Sequence, residues 1–427
     1  MLARHASRIV PPLDRDGRVV MAAAALRSLD YGFLAIFLGV YVTVLDFTAF
    51  EAGLVFSAIM AGGSLSNAVA SWRGDSIGRR RMLVVMAVLM GLGGVMYAVT
   101  SSVVAMMAIS VFAMTTSTGG DRTAFLTLDM AVLAQTTQDR HRTAVFTLYN
   151  VVGRGTKAIG ALMIAAPVVI QAWTGLDEIA SFKAMFWAYA VVAFAGVAVY
   201  ALLTPNAEAP RAPLSNGPLD EDEDADIDAS GNGPTPGSAR STIWRLAALF
   251  SLDAFGGGLK VSAFLSFWFT TKFDLSIETI AAIFFVGQLL NVISLLLAAP
   301  LAGRIGLVAT MVFTQAVANI VMILMALSGN LWLAVTFFMA RELTNEMDIP
   351  TRQSYSMAIV PPEARTATAG VTNLGRTLAQ TVTPGIAGFV AQTLTLGAPI
   401  ILGSAIKLVY NGLLYGMFGK VKAPEEG

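Results

Sequence analysis

The sequence predicts an all-α integral membrane protein, with twelve transmembrane helices in two pseudo-symmetric six-helix bundles. Its composition, the spacing of its apolar segments and a pattern that occurs twice all point there. Of 427 residues, 56% are hydrophobic and only 13% are charged, against about 25% charged in soluble domains. A water-soluble fold of this size cannot hide that much apolar surface, whereas a bilayer accepts it. The repeat is short but ordered. Ser28-Leu29-Asp30 recurs as Ser251-Leu252-Asp253, and Arg142-Thr143-Ala144 as Arg365-Thr366-Ala367, both at an offset of 223 residues. Asn150 recurs as Asn373 at that offset, and Asp121 falls opposite Asp348 after a small length difference. Duplicated halves in an apolar chain suit a transporter, because two similar bundles can rock about a site between them.

In chain order, residues 1–17 form a polar tail broken by Pro11-Pro12. No small-residue cleavage site follows a short apolar run, so a cleaved signal peptide is not expected. Segments long enough to cross a bilayer, about 20 residues each, then occupy 18–45, 50–71, 82–101, 103–134, 144–170 and 183–203. Residues 204–241 are rich in Pro, Gly and Ser and contain Asp220-Glu221-Asp222-Glu223-Asp224. That composition buries too little apolar surface to offset its ordering entropy and predicts a disordered acidic linker. The second set follows at 242–270, 276–300, 307–327, 330–360, 367–392 and 398–419, so the second bundle spans 242–420 and leaves a tail of 421–427.

One set of connections carries Arg73, Arg79, Arg80, Arg81, Arg140, Arg142, Arg240, Arg304, Arg365, Lys420 and Lys422, and the other only Lys183 and Lys272. The excess of basic residues predicts which side is cytoplasmic and puts both termini there, in the cytoplasmic (inner) membrane. Asp-rich, Lys-poor usage points to a halophile or a high-GC prokaryote.

Several function classes drop away. A net charge of zero gives no basic face for nucleic acid. With no cysteine, disulfides, thiolate metal sites and cysteine nucleophiles are excluded. The two histidines, His5 and His141, fall in the tail and a polar loop. No Gly-rich phosphate loop with its lysine is present, nor a Ser-His pair or a metal-ligand cluster. An enzyme is not expected, nor any cofactor or metal.

Between spans two and three the chain reads Arg73-Gly74-Asp75-Ser76-Ile77-Gly78-Arg79-Arg80-Arg81. The glycines permit a tight turn, and Asp75 is placed to accept hydrogen bonds from a neighbouring helix start or to pair with arginine. This stretch resembles the signature of the major facilitator superfamily, an Asp followed three residues later by Gly-Arg-Arg. Gly74, Asp75, Gly78, Arg79 and Arg80 carry the motif, while Ser71 and Ser76 depart from it. Gly303-Arg304-Ile305-Gly306 is a worn copy in the second half. The resemblance implies alternating access between two six-helix halves. It also implies that helices one, four, seven and ten line the cavity, while three, six, nine and twelve stand outside.

A charge inside a bilayer costs about 2.5–3.5 kcal/mol on insertion scales, so its retention needs a reason. Span one carries Arg27 and Asp30 with Tyr31 beside them; span four carries Asp121, Arg122 and Asp129. Span five carries Arg154 and Lys157, span seven Asp253 and Lys260, and span eleven Arg376. Span ten carries Arg341, Glu342, Asn345, Glu346, Asp348 and Arg352. Arg341, Asn345, Asp348 and Arg352 follow a helical spacing and share one face, and Pro350 is expected to kink that span. Gly256-Gly257-Gly258 is expected to loosen span seven. Groups nearer mid-depth are the candidates for a substrate or coupling-ion cavity: Arg27, Asp30, Tyr31, Asp253, Lys260, Arg341, Glu342, Asn345 and Glu346. Asp121, Arg122, Asp129, Arg154, Asp348, Arg352 and Arg376 are candidates for gate ion pairs between the halves. Lys407 on span twelve is read as snorkelling or packed between helices.

The expected function is secondary active transport of a small organic solute, functioning as a monomer. Protons are the expected coupling ion, and Asp30, Asp253, Glu342 and Glu346 are the candidate carriers, since no histidine lies within the spans. Export of drugs or metabolites is the first reading, and import of a nutrient or organic anion the second. Some antiporters of the superfamily carry a Gly-Pro motif on helix five. Here Pro384-Gly385 lies on span eleven instead. From another class, the chain reads as a non-transporting membrane sensor acting through its acidic linker.

Overall fold

A computed structural model describes residues 13–118, 124–137, 139–208, 236–348 and 365–418. Those residues form helices and connections without a strand. The first half holds α1 (Arg15–Val44), α2 (Ala49–Ile77), α3 (Arg79–Val99), α4 (Val103–Phe112), α5 (Ala124–Thr136), α6 (Asp139–Leu162), α7 (Ala166–Thr174) and α8 (Glu178–Tyr200). The second holds α9 (Pro236–Gly258), α10 (Ser262–Phe273), α11 (Ile277–Ile305), α12 (Leu307–Leu327), α13 (Leu331–Asn345), α14 (Arg365–Thr393) and α15 (Ala398–Phe418).

Polar caps set several starts. The side chain of Asp14 accepts from the Gly17 amide at 2.6 Å, that of Asp177 from Ala180 at 2.9 Å, and that of Asn330 from Leu333 at 3.1 Å, satisfying amides that no helical turn can reach. Trp72 and Trp244 lie exposed towards one end of the bundle, and Trp173 and Trp332 towards the other, where indole rings favour the membrane–water boundary. The end carrying Arg73 and Arg79–Arg81 is called the basic end below.

Among the described residues, nine helical stretches are long and apolar enough to cross a membrane. The predicted count of twelve is therefore not reproduced by length and composition alone, for identifiable reasons. Span four is split into α4 and α5 by an irregular stretch that includes Met114 at φ 51°. Span ten is described as helix only over the 15 residues of α13. Span eleven, α14, is long but rich in Thr, Gln and Asn around Arg376. Two boundaries also move. α1 begins at Arg15, inside the predicted tail, and α9 begins at Pro236, inside the predicted linker. The Asp220–Asp224 run and Pro350 lie outside the described residues.

The packing repeats as the sequence does. α3 packs on α8 as α12 packs on α15, α1 on α6 as α9 on α14, and α2 on α4 as α11 on α13. The halves meet through α2 against α14, through α6 against α11, and through α1 against α10. Away from the basic end, the α2–α14 seam is closed. The Ser57 hydroxyl accepts from the Gly385 amide at 2.7 Å, Ser64 and Thr381 hydroxyls meet at 3.1 Å, and Phe50 packs edge-on against Phe389.

The motif between spans two and three is not an extended loop. α2 runs on to Ile77 and α3 starts at Arg79, leaving Gly78 alone between them at φ 99°. Only glycine adopts that backbone without strain. Gly306 does the same between α11 and α12, at φ 88°.

Candidate functional site

A polar cavity of about 180 Å³ lies chiefly in the second half, closed on one flank by Met60, Thr118 and Lys157 of the first. Its formation begins with the interruption of span seven. The glycine triplet does not itself break the helix; α9 continues through Gly258, and the backbone turns at Leu259-Lys260-Val261 before α10 restarts. What the triplet provides is room. A Cβ on Gly256 would stand 2.7 Å from the Gly403 carbonyl, and one on Gly403 would stand 2.5 Å from that of Gly256. The two backbones touch, and this brings α15 against α9.

Of the two readings of Lys407, that approach favours packing between helices. Its ammonium sits 3.0 Å from Asp253 Oδ1 and faces the cavity. Arg376 of α14 reaches the other carboxylate oxygen of Asp253 at 3.5 Å. Lys260 donates to Asn319 Oδ1 at 2.5 Å and to Ser404 Oγ at 2.8 Å. Asp253 and Lys260, seven positions apart on span seven, therefore engage different partners. On span ten, Arg341 pairs with its neighbour Glu342, whose second oxygen accepts from Asn291 Nδ2 at 2.6 Å. Gln315 donates to Asp348. Asp253, Lys260, Arg341, Glu342, Asn345, Glu346, Asp348 and Arg376 all line this cavity.

Among the described residues, an ion pair crosses between the halves from Arg154 to Glu346, 3.0 Å from α6 to the end of α13. It joins Arg154, a gate candidate, to Glu346, a cavity candidate. Arg376 and Asp348 are held within the second half instead. Asp121, Arg122 and Arg352 lie outside the described residues.

Arg27, Asp30 and Tyr31 do not reach this cavity. Arg27 is folded into the first half, where it donates to Asp129 at 2.7 Å, to the Tyr149 hydroxyl at 2.8 Å and to the Tyr200 hydroxyl. Its guanidinium lies 4.5 Å from the centre of the Phe125 ring. The Arg27–Asp129 pair is almost completely dry, with side chains 4% and 0% exposed. It ties span one to span four within one half. Tyr31 donates to the Met114 carbonyl at 2.9 Å, holding the interruption of span four. Asp30 is 1% exposed beside a narrow cleft lined by Met90 and Ala193, and its Oδ2 has no hydrogen-bond partner.

The interruptions of spans four and seven face each other. Ser117 and Thr118 carbonyls accept from the Ala263 amide at 3.0 Å and the Ser262 hydroxyl at 3.1 Å. Span four thus contributes backbone, and spans eight, nine, eleven and twelve contribute Asn291, Gln315, Arg376 and Lys407. The implied lining by spans one, four, seven and ten alone is too narrow. Neutral Asn and Gln in otherwise apolar spans were the sequence signal for spans eight and nine, and a search limited to charge passes over them.

At the basic end, Glu208 caps the start of α3. Its carboxylate accepts from the Arg79 amide at 2.6 Å and the Arg80 amide at 3.3 Å, where the start of α3 carries partial positive charge. Arg79 donates to Gln135 Oε1 at 2.7 Å and Arg80 to the Ala201 carbonyl at 2.7 Å. Gly74 and Asp75 fall in the last turns of α2. Asp16 accepts from the Thr204 amide at 2.9 Å and fastens α1 to the same cluster.

Comparison with known proteins agrees with the fold. The model of the Major Facilitator Superfamily matches residues 20–384. An uncharacterized membrane protein of Saccharomyces cerevisiae, YJR124C, is 25% identical, with 96% of this chain and 95% of the yeast protein covered. Among solved structures, the nucleoside transporter NupG is similar in fold, with TM-score 0.69 at 14% identity, covering 96% of this chain and 100% of that one. A D-xylose–proton symporter gives TM-score 0.68 at 12% identity, covering 93% and 97%. A human organic anion transporter gives 0.56 at 17%, covering 95% and 100%.

Proposed function

The chain belongs to the major facilitator superfamily and is a multi-pass membrane transporter; on that premise we propose that it moves a polar organic solute by proton-coupled alternating access. The observation that carries this reading is the charged cavity against the seam, with Arg154–Glu346 joining the halves at its edge. Rocking the halves would break that pair on one stroke and reform it on the other. The closed α2–α14 seam supports a state that is sealed at the end away from the basic one. With the basic end on the cytoplasmic side, as the arginines favour, the described state is closed to the outside.

Asp30 is the proposed proton carrier. It is buried, and one carboxyl oxygen is unpartnered, while Asp253, Glu342 and Glu346 are engaged by cations. Intramembrane carboxyls in such surroundings serve as proton relays in pumps and transporters.

Charge on the cavity wall favours a polar metabolite over a lipophilic drug. Export of such a metabolite is the direction we carry forward. Uptake of a polar nutrient is the second reading, favoured by the likeness in fold to a D-xylose–proton symporter. A deletion strain that accumulates the solute supports export, and one that fails to grow on it supports uptake. The coupling test uses proteoliposomes. Flux of the solute is expected to follow an imposed pH gradient in the wild type. In Asp30→Asn it is expected to lose that dependence while solute exchange persists. Wild-type flux indifferent to the gradient overturns the coupling.

A further inference from the structure

Resting on the transporter reading above, we propose that Lys260, with the helix start beside it, is the subsite for an oxyanion on the cargo, so the solute is an organic anion bearing a carboxylate or phosphate. Lys260 is buried, 7% exposed, at the interruption of span seven, and it lines the cavity. Its hydrogen bonds go to Asn319 and Ser404, which are both neutral. Among the described residues no carboxylate lies within ion-pair distance of it. A buried ammonium held only by neutral oxygens carries a large desolvation cost, and an anion arriving beside it offsets that cost.

Nearby carboxylates are already engaged. Asp253 faces Lys407 and Arg376, Glu342 faces Arg341, and Glu346 faces Arg154. Among the described residues, five cationic side chains line the cavity against four carboxylates, and Arg154 adds a further cation from just outside it. The described lining thus carries an excess of cations.

The backbone adds to it. α10 starts at Ser262; its N-cap Val261 has no side-chain oxygen to close the first turn, where the Ala263 amide donates to the Ser117 carbonyl. Val261 and Ser262 both line the cavity beside Lys260. A helix start presents roughly half a positive charge, and interrupted helices in transporters use that end to hold anionic substrate groups. Gln288, Asn345 and Gln380 on the remaining walls offer donors and acceptors for the polar body of the solute.

The test uses full-length protein in lipid nanodiscs and matched pairs of probes at constant ionic strength: glucuronate against glucose, and adenosine monophosphate against adenosine. Thermal shift is expected with at least one anion and with neither neutral partner; the pair that responds identifies carboxylate or phosphate. Lys260→Gln is expected to weaken that anion about tenfold or more, and Lys260→Arg to retain part of the affinity. Asn319→Asp supplies a counter-ion in place and is expected to cause a comparable loss without removing the lysine, which keeps the test open should Lys260→Gln not fold. Equal binding of anion and neutral partner, anion binding unchanged in Lys260→Gln and Asn319→Asp, or no shift with any probe overturns the proposal. A protein that binds the anion through Lys260 yet never exchanges it in proteoliposomes retains the subsite and loses the transport reading.

Discussion

Asp30 and Asp253 stand at equivalent positions of the repeat, each the third residue of a Ser-Leu-Asp run, yet their surroundings have diverged. Asp253 is buried on the cavity wall and faces two cations. Asp30 is buried beside a cleft that it shares with Arg27 and Tyr200, with an oxygen unpartnered. Arg27, one turn before Asp30 on α1, pairs with Asp129. In the second half Phe250 occupies the place equivalent to Arg27, and the charge arrives instead from α14 and α15. Equivalent positions carry two surroundings: a buried carboxyl with an unpartnered oxygen inside the first half, and one paired with cations on the cavity wall of the second. Symmetry of the backbone does not carry over to the chemistry.

The largest effect that would break this picture concerns the dry pair. Asp129→Ala leaves Arg27 charged and buried without its counter-ion and is expected to destabilise the protein by about 3–5 kcal/mol. Unfolding in detergent, followed by the loss of monodisperse protein on heating, measures it. Arg27→Met with Asp129→Leu is expected to recover most of that loss, since removing both partners leaves no orphan. If the double variant is as unstable as the single, the pair does more than hold the first half together.

The comparison itself is sharpened by matched substitutions at the repeat positions. Asp253→Asn strips two cations of their partner and is expected to cost about 1–3 kcal/mol. Asp30→Asn removes a group with an unmade hydrogen bond, and its melting temperature is expected to stay near that of the wild type. Equal losses for the two would erase the distinction between them.

The smallest expected effect is at the seam between halves. Arg154 and Glu346 are partly exposed, 29% and 17% at the side chain, so Glu346→Gln is expected to change stability by less than about 1 kcal/mol. Its influence is on the balance of states. Spin labels on α6 and α13, read by pulsed distance measurement, are expected to show a larger population with the halves parted. An unchanged distance distribution removes the gate role from this pair.

What could be read from residues alone follows from their local nature. Burial in lipid requires long apolar runs, and a two-fold pattern of short matches survives duplication, so the membrane class, the two halves and the family were all legible. Inward-facing charge in spans seven and ten was legible as well, because a bilayer tolerates Asp253, Lys260, Arg341 and Glu342 only where they find partners or water. Which partner each one finds was not legible. The contact between Gly256 and Gly403 joins residues 147 positions apart and brings Lys407 and Ser404 to span seven, which no spacing along one helix reveals. Arg27 looked like a cavity residue until the fold set Asp129, Tyr149 and Tyr200 around it. Glu208, outside any span, gained its place at the start of α3 only because the end of α8 returns beside it. Sequence by itself determined that charge would lie within apolar spans; tertiary packing decided which charges pair inside one half and which line the cavity, because pairing depends on distances between helices.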